Sequence, residues 1–231
     1  MFIKHKEKPD GSYDKTKARL VGDGSKQGDF MYDLISSATV ALSSVFMLFN
    51  IASKFQCKLV TFDIKGAFLH AKFTDKDVHT YIRVPKEVAD IWIELEPEAA
   101  PYQQRNGSLI MELDKFIYGL KQSPMKFQEL LTEVLQSMGY ERLMQDKCLF
   151  RKNKEGNFSL LSTHVDDILQ VTNSEPMFKE LRDGLIAKFG KELTVNEEAE
   201  SYLGMKIERT PCRSYIKLTQ RGLTDKVLEM F

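Results

Sequence analysis

The chain has 231 residues, with 33 Lys and Arg against 33 Asp and Glu, so it carries no net charge at neutral pH. That length buries a substantial core in one large domain or two small ones, and the charge balance argues against a protein that grips nucleic acid with an overall basic surface. Cys57, Cys148 and Cys212 lie far apart with no CxxC and no Cys/His cluster, which argues against a zinc site or a disulfide framework and for a reducing compartment.

The opening segment predicts a hairpin. Residues 1–8 and 15–21 are strand-like, joined by the turn-forming Pro9-Asp10-Gly11-Ser12. Lys4, Lys6 and Lys8, which also interrupt any signal-peptide run, alternate onto one face, as do Lys15, Lys17 and Arg19. Cations spaced about 7 Å apart, twice the strand rise, suit a polyphosphate or a nucleic-acid backbone. An exposed ribbon whose lysines deter edge-to-edge pairing explains them equally well. Gly22 to Gly28 is glycine-rich without P-loop spacing and predicts a loop.

Residues 36–55 predict a helix with Val40, Val45, Leu48 and Ile51 on its buried face. The apolar stretch 40–51 is interrupted by Ser43, Ser44 and Asn50 and is too short to span a bilayer. A soluble, intracellular, cytoplasmic protein without a membrane partner is expected. Cys57 to Ile64 predicts a strand ending at Asp63. The acidic segment 84–101, with Glu87, Asp90, Glu94, Glu96 and Glu98, is expected to face solvent. Leu109 to Leu113 predicts a short strand.

Ser123-Pro124 opens a helix, with a capping hydroxyl and proline at its start. Phe127, Leu130, Leu131, Val134, Leu135 and Met138 follow the helical period, and Gly139 ends it. Strands are expected over 148–152 and 158–165. A second amphipathic helix runs over 175–189, with Phe178, Leu181, Leu185 and Phe189 inward; Gly184 weakens it by roughly 1 kcal/mol relative to alanine. A hairpin over 202–219 and the beginning of a last helix complete the chain.

Between the two β-prone runs 158–165 and 168–171 stand Asp166 and Asp167, expected at a hairpin tip. Two adjacent aspartates repel one another and lack the glycine that a tight turn favours, so the stretch reads either as a solvated acidic turn or as a site for a divalent cation. The order strand, helix, hairpin, helix suits an α+β fold, a split βαβ, ferredoxin-like antiparallel sheet with both helices on one face. In such a sheet Asp63 is expected beside the hairpin, where three oxygen donors suit Mg²⁺. Two such ions stabilise the attacking and leaving oxygens of an in-line phosphoryl displacement.

The strings KARLVGDG, TFDIKGAFLHAKF, IYGLKQSPMKF, HVDDIL, SYLGMKIER and IKLTQRGLTDKVLEMF occur in this order, and together they resemble the reverse transcriptase of copia-type LTR retrotransposons over nearly the whole chain. The resemblance implies an RNA-directed DNA polymerase of right-hand form. It assigns fingers to residues 1–56 and 76–108, palm to 57–75 and 109–208, and the start of a truncated thumb to 209–231. The implied substrates are an RNA or DNA template with its primer, and dNTPs. The implied cofactor is a pair of Mg²⁺ ions, with Mn²⁺ able to substitute. By the same resemblance Asp63, Asp166 and Asp167 are catalytic and bind metal, helped by the carbonyl of Ile64. Lys17, Arg19 and Gln122 meet the dNTP, Phe68 lies under its sugar and excludes a 2′-hydroxyl, and Leu203-Gly204-Met205 forms the primer grip. The integrase and RNase H parts of a Pol polyprotein are the expected partners, in a retrotransposon particle. His164 departs from the tyrosine usual before Val-Asp-Asp. The alternatives are a catalytically silent palm that only binds nucleic acid and a decayed fragment, which primer extension and a thermal melt distinguish.

Overall fold

Runs that alternate apolar and polar residues become strands, and runs with apolar residues three and four apart become helices. The computed structural model describes residues 2–7, 13–28, 37–74 and 77–230. The expected turn at residues 9–12 and Ser36 lie outside them; the helix expected over 36–55 begins only at Leu42, with Ala41 as its extended N-cap residue, and residues 37–41 are not helical. The first half of the chain forms β1 (Phe2–Glu7), β2 (Tyr13–Arg19), α1 (Leu42–Lys54), β3 (Lys58–Ile64), β4 (Tyr81–Val84), α2 (Lys86–Leu95) and β5 (Leu109–Glu112). Then come α3 (Ser123–Ser137), β6 (Glu141–Arg142), β7 (Leu149–Lys154), β8 (Asn157–His164), β9 (Asp167–Thr172), α4 (Glu175–Phe189) and β10 (Leu193–Asn196). The chain continues through β11 (Ser201–Tyr202), β12 (Met205–Arg209), β13 (Ile216–Thr219) and α5 (Arg221–Leu228). Two compact units result, Met1–Ile35 with Phe68–Lys126 and Ser36–Ala67 with Phe127–Phe231.

The second unit is built on an antiparallel sheet in the order β10-β3-β9-β8-β7-β6. Alternation along β3 gives the two faces different tasks. Val60, Phe62 and Ile64 are buried on one face. Lys58 belongs to the same alternate set, and its ammonium lies 3.9 Å over the Phe178 ring of α4. α3 joins α4 there, with the Phe127 and Phe189 rings 6.4 Å apart. Gly184 has a packing reason: a Cβ there would come within 2.2 Å of the Met138 sulfur.

Leu59, together with Leu169 and Val171 of β9, is buried on the opposite face. There the residues pack with Val45, Leu48, Phe49 and Ala52 of α1 and with Tyr202, Met205 and Ile207. Each such large apolar side chain contributes about 1.5–3 kcal/mol by leaving water. α1, grouped with the fingers from sequence, thus shares a core with β3 and β9. Arg209 ties the pieces together by donating to the carbonyls of Cys57 (2.9 Å) and Ala52 (3.3 Å) at the end of α1.

In the first unit β1 pairs with β2, opposing Lys4 to Lys17 and Lys6 to Lys15, and β4 pairs with β5. α2 was not evident in the acidic segment. Val88, Ala89, Trp92 and Ile93 form its apolar stripe and pack with Val84 and Leu109, while Glu87, Asp90 and Glu94 face solvent as expected. At the start of α3 the Ser123 hydroxyl does not cap the helix; it donates instead to the carbonyl of Ile117 (2.6 Å). Among the described residues no helix is long and apolar enough to cross a membrane.

Candidate active site

β9 is the centre of the acidic site because it is paired on both edges. Its first residue, Asp167, lies opposite Asp63 of β3 on one side and His164 of β8 on the other. Asp63 in turn lies opposite Thr194 of β10. Direct cross-strand partners project from the same face, so four strands contribute the row Thr194, Asp63, Asp167, His164. One register step further on, the Ile64 amide donates to the Asp166 carbonyl (3.0 Å). Asp63 and Asp167 therefore form the non-hydrogen-bonded kind of pair, whose Cα atoms approach to about 4.5 Å. That same bond holds the Ile64 backbone against the turn.

The electrostatics follow from this register. Burial, then the neighbouring Asp166, then Asp63 push the Asp167 carboxyl up to about 6, and His164 opposes them. A group held above its ordinary range by facing like charges is relieved by a cation. As they lie, no three His, Cys, Asp or Glu side chains among the described residues stand close enough to enclose a metal ion. Asp63 and Asp167 nevertheless fit a hard divalent cation that keeps several waters, for which one or two carboxylates plus substrate phosphates suffice.

The turn differs in detail from the sequence expectation. Its two residues are Val165 and Asp166, not Asp166 and Asp167, because Asp167 already belongs to β9. Val165 has φ 56°, a left-handed conformation that costs a residue with a Cβ about 1–2 kcal/mol. Held strain of this kind gathers at functional sites. Beside it, His164 Nδ1 is buried with no hydrogen-bond partner among the described residues.

Leu203 and Gly204 form the turn between β11 and β12, with φ 49° and 74°. Glycine answers the turn conformation there, and a Cβ would meet no protein atom within 4 Å. Met205 is buried, and Tyr202 anchors the hairpin through a 2.7 Å hydroxyl contact with Ser162 of β8.

The first unit holds the remaining candidates. Phe68 is only 7% exposed and packs on Tyr118, ring centroids 4.6 Å apart. Arg19 lies over the same ring, its guanidinium carbon 5.4 Å from the centroid. Gln122, 3% exposed, accepts a hydrogen bond from the side chain of Gln27 (3.1 Å). Lys17 is placed by its backbone pairing alone.

A family model described as reverse transcriptase (RNA-dependent DNA polymerase) matches residues 2–231. The chain belongs to this family. It is 30% identical over 220 residues to the retrovirus-related Pol polyprotein from transposon TNT 1-94 of Nicotiana tabacum, covering 93% of this chain and 15% of that protein. A similar polyprotein, from transposon RE2 of Arabidopsis thaliana, is 26% identical over 93% of this chain and 14% of its own length. The chain thus spans a small fraction of its curated relatives. Among solved structures, an apo telomerase from Candida Tropicalis truncated from its C-terminal domain is similar over 79% of this chain and 41% of that chain, with 14% identity and a TM-score of 0.41.

In this copia-type reverse transcriptase domain, Asp63, Asp166, Asp167 and Ile64 come together around one turn. Leu203, Gly204 and Met205 share one hairpin, and Arg19 and Phe68 share the ring of Tyr118. Gln27 and Tyr118 carry no sequence signal of their own: one sits in a glycine-rich loop and the other inside the YGLKQ string, 95 and 50 residues from the partners they serve.

Proposed function

We propose that the chain is the RNA-directed DNA polymerase domain of a copia-type Pol polyprotein, extending a primer 3′ end with dNTPs by two-metal-ion nucleotidyl transfer. The observation that carries this reading is the facing of Asp63 and Asp167 across adjacent strands beside Asp166. Asp63 and Asp167 would hold Mg²⁺, or Mn²⁺ in its place, with substrate phosphates and water completing the shell and with Asp166 and the Ile64 carbonyl as further donors beside the turn. When bound, the cations supply charge stabilisation for the attacking and leaving oxygens of the displacement. The palm is assigned to the six-stranded sheet and its helices. The order β10-β3-β9-β8 with α3 and α4 on one face supports a ferredoxin-like, split βαβ core.

The remaining roles belong to residues that bind and orient. Lys17 and Arg19 bind the triphosphate; a guanidinium fixed over an aromatic face keeps its planar fork ready for two phosphate oxygens. Gln122 contacts the dNTP, and Leu203 to Met205 grip the primer. The template is RNA or DNA, and integrase and RNase H parts accompany the domain in the full polyprotein. Asp166→Asn is expected to abolish primer extension on a homopolymer template in Mg²⁺ or Mn²⁺ while leaving the melt cooperative; an unchanged rate rejects the assignment.

Phe68 is proposed to exclude a 2′-hydroxyl. Tyr118 backs its ring, so the ring cannot tilt away from a bulkier sugar. Phe68→Ala is expected to cut the preference for dTTP over UTP on poly(rA)·oligo(dT) at least tenfold. It also removes a buried ring, which costs about 3–5 kcal/mol, so the comparison is made below the variant's own melting temperature. Undiminished discrimination would return Phe68 to a packing role.

A further inference from the structure

We infer that Gln27 is a positioning residue that fixes which end of the Gln122 amide faces the nucleotide; this rests on the proposed contact between Gln122 and the dNTP. A glutamine amide has an accepting oxygen at one end and two N–H donors at the other. Which end points where is settled by partners that can only donate or only accept. Gln27 has such a partner: the backbone N–H of Lys121 donates to its Oε1 (2.9 Å). The Gln27 NH₂ is therefore the end left for Gln122, and it donates to Gln122 Oε1 (3.1 Å). Gln122 in consequence turns its own NH₂ away from Gln27, and no hydrogen bond among the described residues uses that group.

The loop that carries Gln27 is held firmly enough to impose this. Lys121 Nζ donates to the Gln27 carbonyl (2.8 Å). The Gly22 amide donates to the Tyr118 carbonyl (2.8 Å). A Cβ on Gly24 would stand 2.2 Å from the Gly119 carbonyl oxygen, so the loop and the segment before Gln122 touch backbone to backbone. Gly22 and Gly24 thus permit the close approach of the loop to the segment before Gln122. They let Gln27 reach a buried amide and orient it, so that Gln122 offers a donor to an acceptor oxygen of the nucleotide's sugar or phosphates.

The test is Gln27→Glu in the full chain. One carboxylate oxygen still accepts from the Lys121 amide, while the other now faces Gln122 as an acceptor. Gln122 must reverse, presenting its oxygen where a donor is needed. Equilibrium affinity for dTTP is read on poly(rA) with a dideoxy-terminated oligo(dT) primer, so that turnover does not intervene, for Gln27→Glu, Gln122→Ala and the double variant. The expected result is a loss of at least tenfold from each single substitution and no additional loss in the double. If Gln27→Glu lowers the melting temperature markedly, Gln27→Met, similar in shape but without a donor, takes its place in the cycle. An unaltered affinity in the Gln27 variant, or an equal loss with and without Gln122, overturns the inference. An unaltered affinity in Gln122→Ala overturns the proposed dNTP contact, and the inference with it.

Discussion

Asp63→Asn is expected to lower primer extension by about three orders of magnitude and, in the same protein, to raise the melting temperature of the metal-free chain at pH 8. The first effect follows from losing one of two facing carboxylates. Charge stabilisation worth several kcal/mol is at stake, and each 1.36 kcal/mol is tenfold in rate. The second effect follows from the state of Asp167, whose carboxyl lies near 6 when folded against 3.8 for the free side chain. Between those values the folded chain binds the proton that the unfolded chain has released. Stability therefore falls as pH rises through this window and stays lower above it.

Removing the Asp63 charge relieves part of that loss. Burial and Asp166 act more strongly on Asp167 than Asp63 does, so the gain is about 1 kcal/mol at pH 8, or some 2–4 °C for a domain of this size. Toward pH 4 the two proteins should melt together, since the folded Asp167 is then protonated in both and no longer feels the charge at position 63. Thermal melts in a chelator from pH 4 to 8 read the difference. A variant that melts no higher than the parent at pH 8 would mean that the two carboxylates do not face one another.

Gly119→Ala is expected to be strongly damaging for a single added methyl group. Gly119 has φ +92°, and a Cβ there would lie 2.0 Å from the Gly22 carbonyl oxygen and 2.6 Å from a Val21 methyl. The first of these is rigid backbone, and Gly22 is itself bonded to Tyr118. Neither segment can retreat without breaking the contact that joins them. The positive φ costs about 1–2 kcal/mol and the overlap a further 1–3 kcal/mol, which together lower the melting temperature by about 5–15 °C. dNTP affinity should fall too, because the loop that holds Gln122 is displaced. Gly156→Ala is the control: φ there is +77°, yet a Cβ meets nothing within 4 Å. If both substitutions cost the same, the close approach of loop and motif is not a constraint.

Much of this architecture can be read from residue patterns. The helical period of Phe127, Leu131 and Leu135 and that of Phe178, Leu181, Leu185 and Phe189 place those side chains in the core, because one apolar stripe has one way to leave water. The strand ending at Asp63 and the hairpin before Asp167 are legible in β-prone apolar runs that end at or flank aspartates. The two-residue turn was misplaced by one position, since nothing in the sequence announces a valine at positive φ. β10 escaped notice because its four residues carry only half a face of apolar character, and it exists by pairing with β3. α2 escaped because its acidic side obscured Val88, Ala89 and Trp92. The Gln27–Gln122 bond had no local trace: two glutamines 95 residues apart leave no period to detect.

Mounting Asp167 on a strand with neighbours along both edges also governs how the domain loses its shape. The amides of β9 and the central part of β3 are locked into ladders on either side, so their exchange with solvent requires the whole sheet to come apart. Fraying at the chain ends or in the outer hairpins leaves them untouched. The proposed metal-binding carboxylates therefore sit in the slow-opening centre of this sheet, and if they carry the reaction, warming should extinguish activity together with the unfolding of the sheet and not ahead of it.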